Sequence, residues 1–248
     1  MKTSNILLLT ALLVLLFSMG AYNMALKSQY ASGEYKNPLA NFTLLDFTDF
    51  DEIDVKSANF ISVKVETGDK PEVYLQNTEN ERIHVSQEGN RLIVEVTPES
   101  DGKLSIARTG PYHIIIRTPN VTLVRTDAAY IFDGKINTTP NQLQYANHSG
   151  LTVEGLSQDS LKLELDNGSN LVLRANEIGY LQASAGHSPN SEPKLQLLSG
   201  NKVKQADITI LNRGHLVMQN VAIPQLNYTL SEDAKVELSG ASLDLIRK

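Results

Sequence analysis

The five histidines of this chain are the first candidates for chemistry, because imidazole is the side chain best suited to bind a metal or move a proton near neutral pH. Three of them, His148, His187 and His215, fall five, six and seven residues after the starts of recurring apolar runs, and Asp166 and Asp233 hold similar places in other runs. Stacked into one column, these residues would make a mixed His/Asp metal or acid–base site. The drift in offset, and the contexts Asn147-His148-Ser149, Gly186-His187-Ser188 and Gly214-His215-Leu216, fit solvated polar turns better. His84 and His113 lie in strand-like runs without a matching partner and read as structural.

Carboxylates offer two further possibilities. Asp46, Asp49, Asp51, Glu52 and Asp54 form the densest acidic run, but it lacks the central Gly and terminal Glu of a calcium loop and the Gly-rich nonapeptide of calcium-binding rolls. It reads as the polar positions flanking Phe47, Phe50, Ile53 and Val55. Carbohydrate cleavage needs two carboxylates across the scissile bond, or a base beside a calcium-bound acid. Glu154, Asp166, Arg174 and Arg213 supply the residue types, yet no spacing joins any pair. Gly-x-Ser-x-Gly, His-Glu-x-x-His and phosphate-binding Gly loops are missing. The expectation is a non-enzymatic protein with no catalytic, cofactor-binding or metal residue and no cofactor.

Composition narrows the class. A net charge of −6, from 22 Lys+Arg against 28 Asp+Glu with no basic block, lacks the electrostatic footprint that nucleic acid requires. No cysteine occurs in the 248 residues, which removes disulfides, Cys metal sites and thiol nucleophiles together and suits an exported protein that folds without oxidation. With 41% apolar residues, 15 Gly, 9 Pro and no Trp, the chain suits short strands joined by frequent turns.

From Ile6 to Leu26 run 21 uncharged residues, between Lys2 and Lys27. As a helix they reach about 31 Å, the hydrocarbon thickness of a bilayer. A cleaved signal peptide is the competing reading, with Ile6–Phe17 as its apolar core and Ser18-Met19-Gly20 as the cleavage site. Ala21, Tyr22, Met24, Ala25 and Leu26 continue the apolar run and favour a retained signal anchor. The expected order is residues 1–5 in the cytoplasm, a transmembrane helix at 6–26, a polar stalk at 27–40 and a folded body at 41–248. The partner of the helix is the inner membrane, and the body lies outside the cytoplasm, in the periplasm.

Within the body, residues 41–120 alternate apolar and polar in short runs such as Ile61, Val63, Val65 and Leu92, Val94, Val96, the half-buried strand pattern. Gly68-Asp69-Lys70-Pro71 and Glu88-Gly89-Asn90-Arg91 separate the runs as turns. Over 121–248 the alternation becomes periodic. Starts at Leu123, Leu143, Leu161, Leu181, Ile208 and Leu226 give steps of 20, 18, 20, 27 and 18 residues, the long step containing the turn-rich His187–Pro193. Arg125, Tyr145, Leu163, Ala183, Ile210 and Tyr228 follow two residues later as an inward column. A second strand in each unit carries Leu151 and Val153, Leu171 and Leu173, Leu195 and Leu197, Leu216 and Met218, and Val236 and Leu238. Such units cannot bury their apolar faces alone, so they must stack. The predicted body is an all-β, single-domain β-solenoid of rungs of about 18–20 residues, behind an N-terminal transmembrane helix. Asn147, Asn212 and Asp127 share the fourth offset and suggest an inward amide stack.

The segments Phe50–Val55, Ile61–Asp69 and Glu88–Val94, followed by rungs, resemble the head GIN domain family, described as putative autotransporter adhesin and common in Bacteroidetes. This resemblance covers most of residues 42–245. It implies an exported, envelope-associated β-solenoid and a bacterial source, so the sequons at Asn41, Asn120, Asn137, Asn147, Asn167 and Asn227 imply no glycans. The expected function is envelope binding or adhesion, with a glycan or an envelope protein as ligand. The competing functions are a carbohydrate-active β-helix enzyme and a periplasmic sensor or scaffold in envelope-stress signalling.

Overall fold

The structure is a computed structural model that describes residues 3–33, 37–77, 81–98, 100, 102, 111–138 and 150–245. It divides into two compact units, Met1–Phe42 and Thr43–Lys248. The first is dominated by one helix, α1 (Thr3–Ser32), whose apolar side chains from Ile6 to Leu26 stand exposed. Ser18, Met19 and Gly20 lie inside this helix without a break. By length and composition α1 is sufficient to cross a membrane.

The second unit is made of strands. In chain order they are β1 (Phe42–Leu45), β2 (Glu52–Val55), β3 (Ser62–Thr67), β4 (Glu72–Gln76), β5 (Ile83–Glu88), β6 (Arg91–Val96), β7 (Ile114–Thr118), β8 (Leu123–Asp127), β9 (Ala129–Phe132) and β10 (Lys135–Thr138). Then follow β11 (Gly150–Glu154), β12 (Ser157–Asp166), β13 (Asn170–Arg174), β14 (Glu177–Ala185), β15 (Lys194–Leu197), β16 (Lys202–Ile210), β17 (His215–Gln219), β18 (Gln225–Leu230) and β19 (Lys235–Ser239). Sheet A runs β1-β4-β7-β3-β11-β13-β15-β17-β19, and sheet B runs β18-β16-β14-β12-β8-β2-β6-β5. Both sheets are mixed, because β4 pairs with β7 and β5 with β6 antiparallel while the neighbouring pairs are parallel. Neither sheet closes into a barrel.

From residue 150 the chain alternates strictly between the sheets, and each strand pairs in parallel with the strand two places further on. The reason lies in the side chains. Alternate residues of each strand point to one face, and a one-residue slip would expose the whole apolar set. Leu151, Leu171, Leu195, Leu216 and Val236 therefore fall in one column of sheet A, with Val153, Leu173, Leu197, Met218 and Leu238 in the next. The expected second-strand register is the observed one. The inward residues of both sheets merge into one core.

The first-strand register differs from expectation at two places. Leu123 pairs with Lys162, so Val124 joins Leu163 in the inward column and Arg125 faces outward opposite Glu164. Ala206, not Ile208, pairs with Leu181, and Ile210 pairs with Ala185. Adjacent apolar residues Leu123-Val124 gave alternation two possible phases, whereas Ala206, Ile208 and Ile210 share one phase and the expected start fell two residues late, past the small Ala206. Leu143, Tyr145 and Asn147 lie outside the described residues, and β8 pairs directly with β12.

The earlier strands belong to the same stack rather than to a separate layer. β2 lies between β6 and β8, and β3 between β7 and β11. The turn at Gly89-Asn90 joins β5 to β6 as a hairpin, with Glu88 opposite Arg91.

Corners carry the polar work of the stack. At the corner after β13 and β15, Asn176 and Asn201 are buried. Asn176 Oδ1 accepts from Leu156 N–H, and Asn201 Oδ1 accepts from the Asn176 N–H and Nδ2, each at 3.0 Å. Their own Nδ2 groups donate to the carbonyls of Val153, Leu173 and Leu198. An inward amide ladder exists, then, but at Asn176 and Asn201. Asn212 sits at the other corner in the left-handed region, where Asn is tolerated, and its Nδ2 donates to the Gly186 and Ser188 carbonyls.

Candidate functional site

Outside the core, the outward residues of β2, β8 and β12 form a charged strip across sheet B. Register sets Asp54 beside Arg125 and Arg125 beside Glu164. Arg125 Nε donates to Glu164 Oε2 at 2.6 Å, and Lys162 Nζ lies 2.7 Å from Glu164 Oε1. Arg91 reaches Glu52 at 3.0 Å.

Over this strip hangs the hairpin β9–β10. Its two-residue turn, Asp133-Gly134, has positive φ at both positions, 50° and 68°, the type I′ geometry that Asp-Gly favours between twisted strands. Ile131 and Ile136 are directly paired and remain 69% and 75% exposed. The hairpin is tied down at its base: Ser57 N–H donates to the Ala129 carbonyl at 3.2 Å, and Tyr130 meets the edge of Phe60 at 6.3 Å between ring centres.

Strip and hairpin enclose a cleft of about 890 Å³, within the size range of small-ligand sites. One wall is Tyr130, Ile131, Ile136 and Thr138; the floor is Asp54, Arg125, Asp127, Glu164 and Asp166; Lys56, Glu95 and His187 stand at its margins. Asp54, Glu95, Asp127, Glu164 and Asp166 outnumber Lys56 and Arg125, so the cleft is acidic.

Most of these acids are already engaged. Burial raises the Glu164 carboxyl, but hydrogen bonds from Lys162 and Arg125 outweigh it and hold the group below its ordinary value. Asp166 behaves alike: burial is outweighed by Ser188 and Ser191 and by backbone N–H groups. Ser188 N–H and Oγ donate to it at 3.0 and 2.6 Å, and Ser191 Oγ at 2.7 Å. Asp127 accepts from Asn167 Nδ2 at 2.6 Å and from Ala129 N–H at 2.8 Å. Asp54 differs. Burial, with a smaller push from Asp127, raises its carboxyl despite Lys56, Arg125 and Arg91 nearby. Among the described residues it is the single carboxyl moved upward.

The sequence-predicted groups separate. His187 lines the cleft, whereas His215 opens β17 in sheet A, with its Nε2 3.2 Å from Glu237 Oε1. Burial keeps the His215 imidazole below its usual value, against the pull of Glu237. His148 lies outside the described residues, and no group of three His, Asp or Glu is placed to hold a metal among the described residues. His113 is buried, with Nδ1 accepting from Ser62 N–H at 2.9 Å. Glu154 pairs with Lys64 on sheet A at 2.9 Å, Asp166 belongs to the sheet B corner, and Arg213 pairs with Glu192. The acidic run divides by face: Phe50, Ile53 and Val55 are buried, Asp51 accepts from Asn90 Nδ2 and Glu52 meets Arg91.

The cleft was hidden from sequence reading, because 123–143 reads as one continuous rung. Asp133-Gly134 between Ala129–Phe132 and Lys135–Thr138 is the signal that marks the hairpin.

The class these observations define is a mostly-β protein of two mixed, facing sheets, preceded by an apolar helix that could anchor it in a membrane. Residues 49–194 match the family described as "Putative auto-transporter adhesin, head GIN domain", and the chain belongs to that family. Solved structures similar to it include a putative adhesin from Bacteroides fragilis, at 10% identity and a TM-score of 0.38, covering 79% of this chain and 95% of that one. Another is a putative lipid binding protein from Parabacteroides distasonis, at 13% identity and a TM-score of 0.30, covering 80% and 94%. A putative adhesin from Parabacteroides merdae matches at 11% identity and a TM-score of 0.30, covering 79% and 95%. No curated protein matches the sequence.

Proposed function

We infer that this chain is a non-enzymatic envelope protein, anchored by α1 with its body in the periplasm, whose β-solenoid body binds a glycan in the cleft under the β9–β10 hairpin. The observation that carries this reading is the cleft itself: an exposed Ile131–Ile136 pair facing a floor of hydrogen-bonding acids. A sugar presents apolar C–H patches and hydroxyl donors, and this pairing of walls suits both. The excess of carboxylates disfavours anionic ligands.

The test is a glycan array probed with the full chain in detergent, followed by titration of any sugar retained. Ile131→Asp and Ile136→Asp are expected to weaken binding at least about tenfold, the cost of losing about 1.4 kcal/mol of contact. Retention of no glycan, or binding indifferent to both changes, would overturn the reading.

A further inference from the structure

Among the described residues, no strand lies beyond the C-terminal face of the two sheets. β18 is the outermost strand of sheet B and β19 of sheet A, so no described strand continues either ladder. Their inward side chains continue the core columns: Leu226, Tyr228 and Leu230 follow Ala206, Ile208 and Ile210, and Val236 and Leu238 follow Leu216 and Met218. Inside the stack these columns are buried. At its end Tyr228 is 61% exposed, Leu230 38% and Val236 40%. The 3-10 turn Gly240–Leu245 covers one corner, where Ser242 Oγ bonds both the N–H and the carbonyl of Val221. It leaves the strands themselves open.

Open strand edges carrying apolar side chains recruit other strands unless charges or a cap prevent it. The outward positions of β18 are Gln225, Asn227 and Thr229, all uncharged, and those of β19 include Lys235 and Glu237, on either side of Val236. This short pattern is self-complementary. We propose that the C-terminal end of the body binds the same end of a second copy, about a twofold axis normal to the sheets. That rotation reverses strand direction but keeps each sheet in its own layer. β18 then pairs antiparallel with its counterpart, and β19 with its counterpart. With Val236 on the axis, Lys235 of each copy faces Glu237 of the other, and opposite charges directly across an antiparallel pair attract.

Head-to-tail stacking lacks this match. It would set β19 against β1, whose Phe42-Thr43-Leu44-Leu45 has no charge, and it would propagate into a filament. Two strands about 17–20 Å long and about 10 Å apart offer a few hundred Å² per copy. That is below the roughly 800 Å² per partner of a standard interface, so the dimer is a weak one.

Because the chain has no cysteine, Val236→Cys introduces a single thiol that would sit on the axis facing itself. Opposed residues in an antiparallel pair have Cα atoms about 4.5–5.5 Å apart, within the range a disulfide spans. The full chain, in detergent, is oxidised mildly and resolved without reductant. Val236→Cys is expected to form a linked dimer at least about tenfold faster than Ile136→Cys, an exposed control on the hairpin. Adding Lys235→Glu or Glu237→Lys alone should slow the linkage about tenfold, and the two together should restore it, which also shows that the reversed chains fold. Equal rates at positions 236 and 136, or a rate insensitive to charge reversal, would overturn the proposal. So would amine crosslinking of the unmodified chain into trimers and longer ladders.

Discussion

Asp166 illustrates how a single side chain fixes the path of a loop between two sheets. The loop from Gly186 to Pro193 is longer than the other strand connections beyond residue 150, and its Ser188 and Ser191 fold back to give Asp166 their hydroxyls. Asp166 Oδ1 also accepts from the neighbouring Asn167 N–H at 2.9 Å. The loop is therefore pinned to the end of β12 rather than hanging free. Asp166→Ala is expected to cost about 1–3 kcal/mol at neutral pH, the range for losing charge-assisted hydrogen bonds. Since the folded carboxyl titrates below its ordinary value, this stability is complete above about pH 3.9 and is lost as pH falls through the lower folded value. Thermal melts of both chains should show a gap at pH 7 that closes in strong acid. A gap that is unchanged there would mean that the charge plays no part.

Strands in the middle of the stack have neighbours on both sides, and those at its end do not. Leu171 is buried among Leu151, Leu195 and the facing core. Leu171→Ala should cost about 2–5 kcal/mol, whereas Leu238→Ala, on the outermost strand and only partly buried, should cost under about 1 kcal/mol. Denaturant midpoints measure both, and equal losses would contradict the gradient. What the sequence made legible follows the same division. Leu151-Thr152-Val153 and Leu195-Gln196-Leu197 have one apolar phase, and their register could be read directly. Leu123-Val124 has two, and the observed one puts Val124 in the core and brings Arg125 to Glu164 across 39 positions. The cleft was less legible still. Its floor depends on that register and its wall on the Asp133-Gly134 turn, while Ile131 and Ile136 alternate like any core strand although they face outward.

At the scale of the whole molecule, α1 predicts a protein that stays with the membrane. After an alkaline wash, which strips peripheral proteins, the chain is expected in the pellet, and its mature N-terminus should precede residue 21. A soluble body beginning at Ala21 would show that the helix is a cleaved leader. The threading of β2 and β3 has a different consequence, for how such a body can change its length. Beyond residue 150 each strand lies beside the strand two places further on, so a pair of strands, about twenty residues, could be duplicated or deleted and the flanking columns would close up in register. Before it, β3 sits between β7 and β11 and β2 between β6 and β8, strands made much later in the chain. A duplication there would have to pass through a layer already occupied. Whole strand pairs can therefore be added or lost on one side of residue 150 only, and the hairpin cleft straddles that boundary, with Asp54, Arg125 and Asp127 before it and Glu164, Asp166 and His187 beyond it.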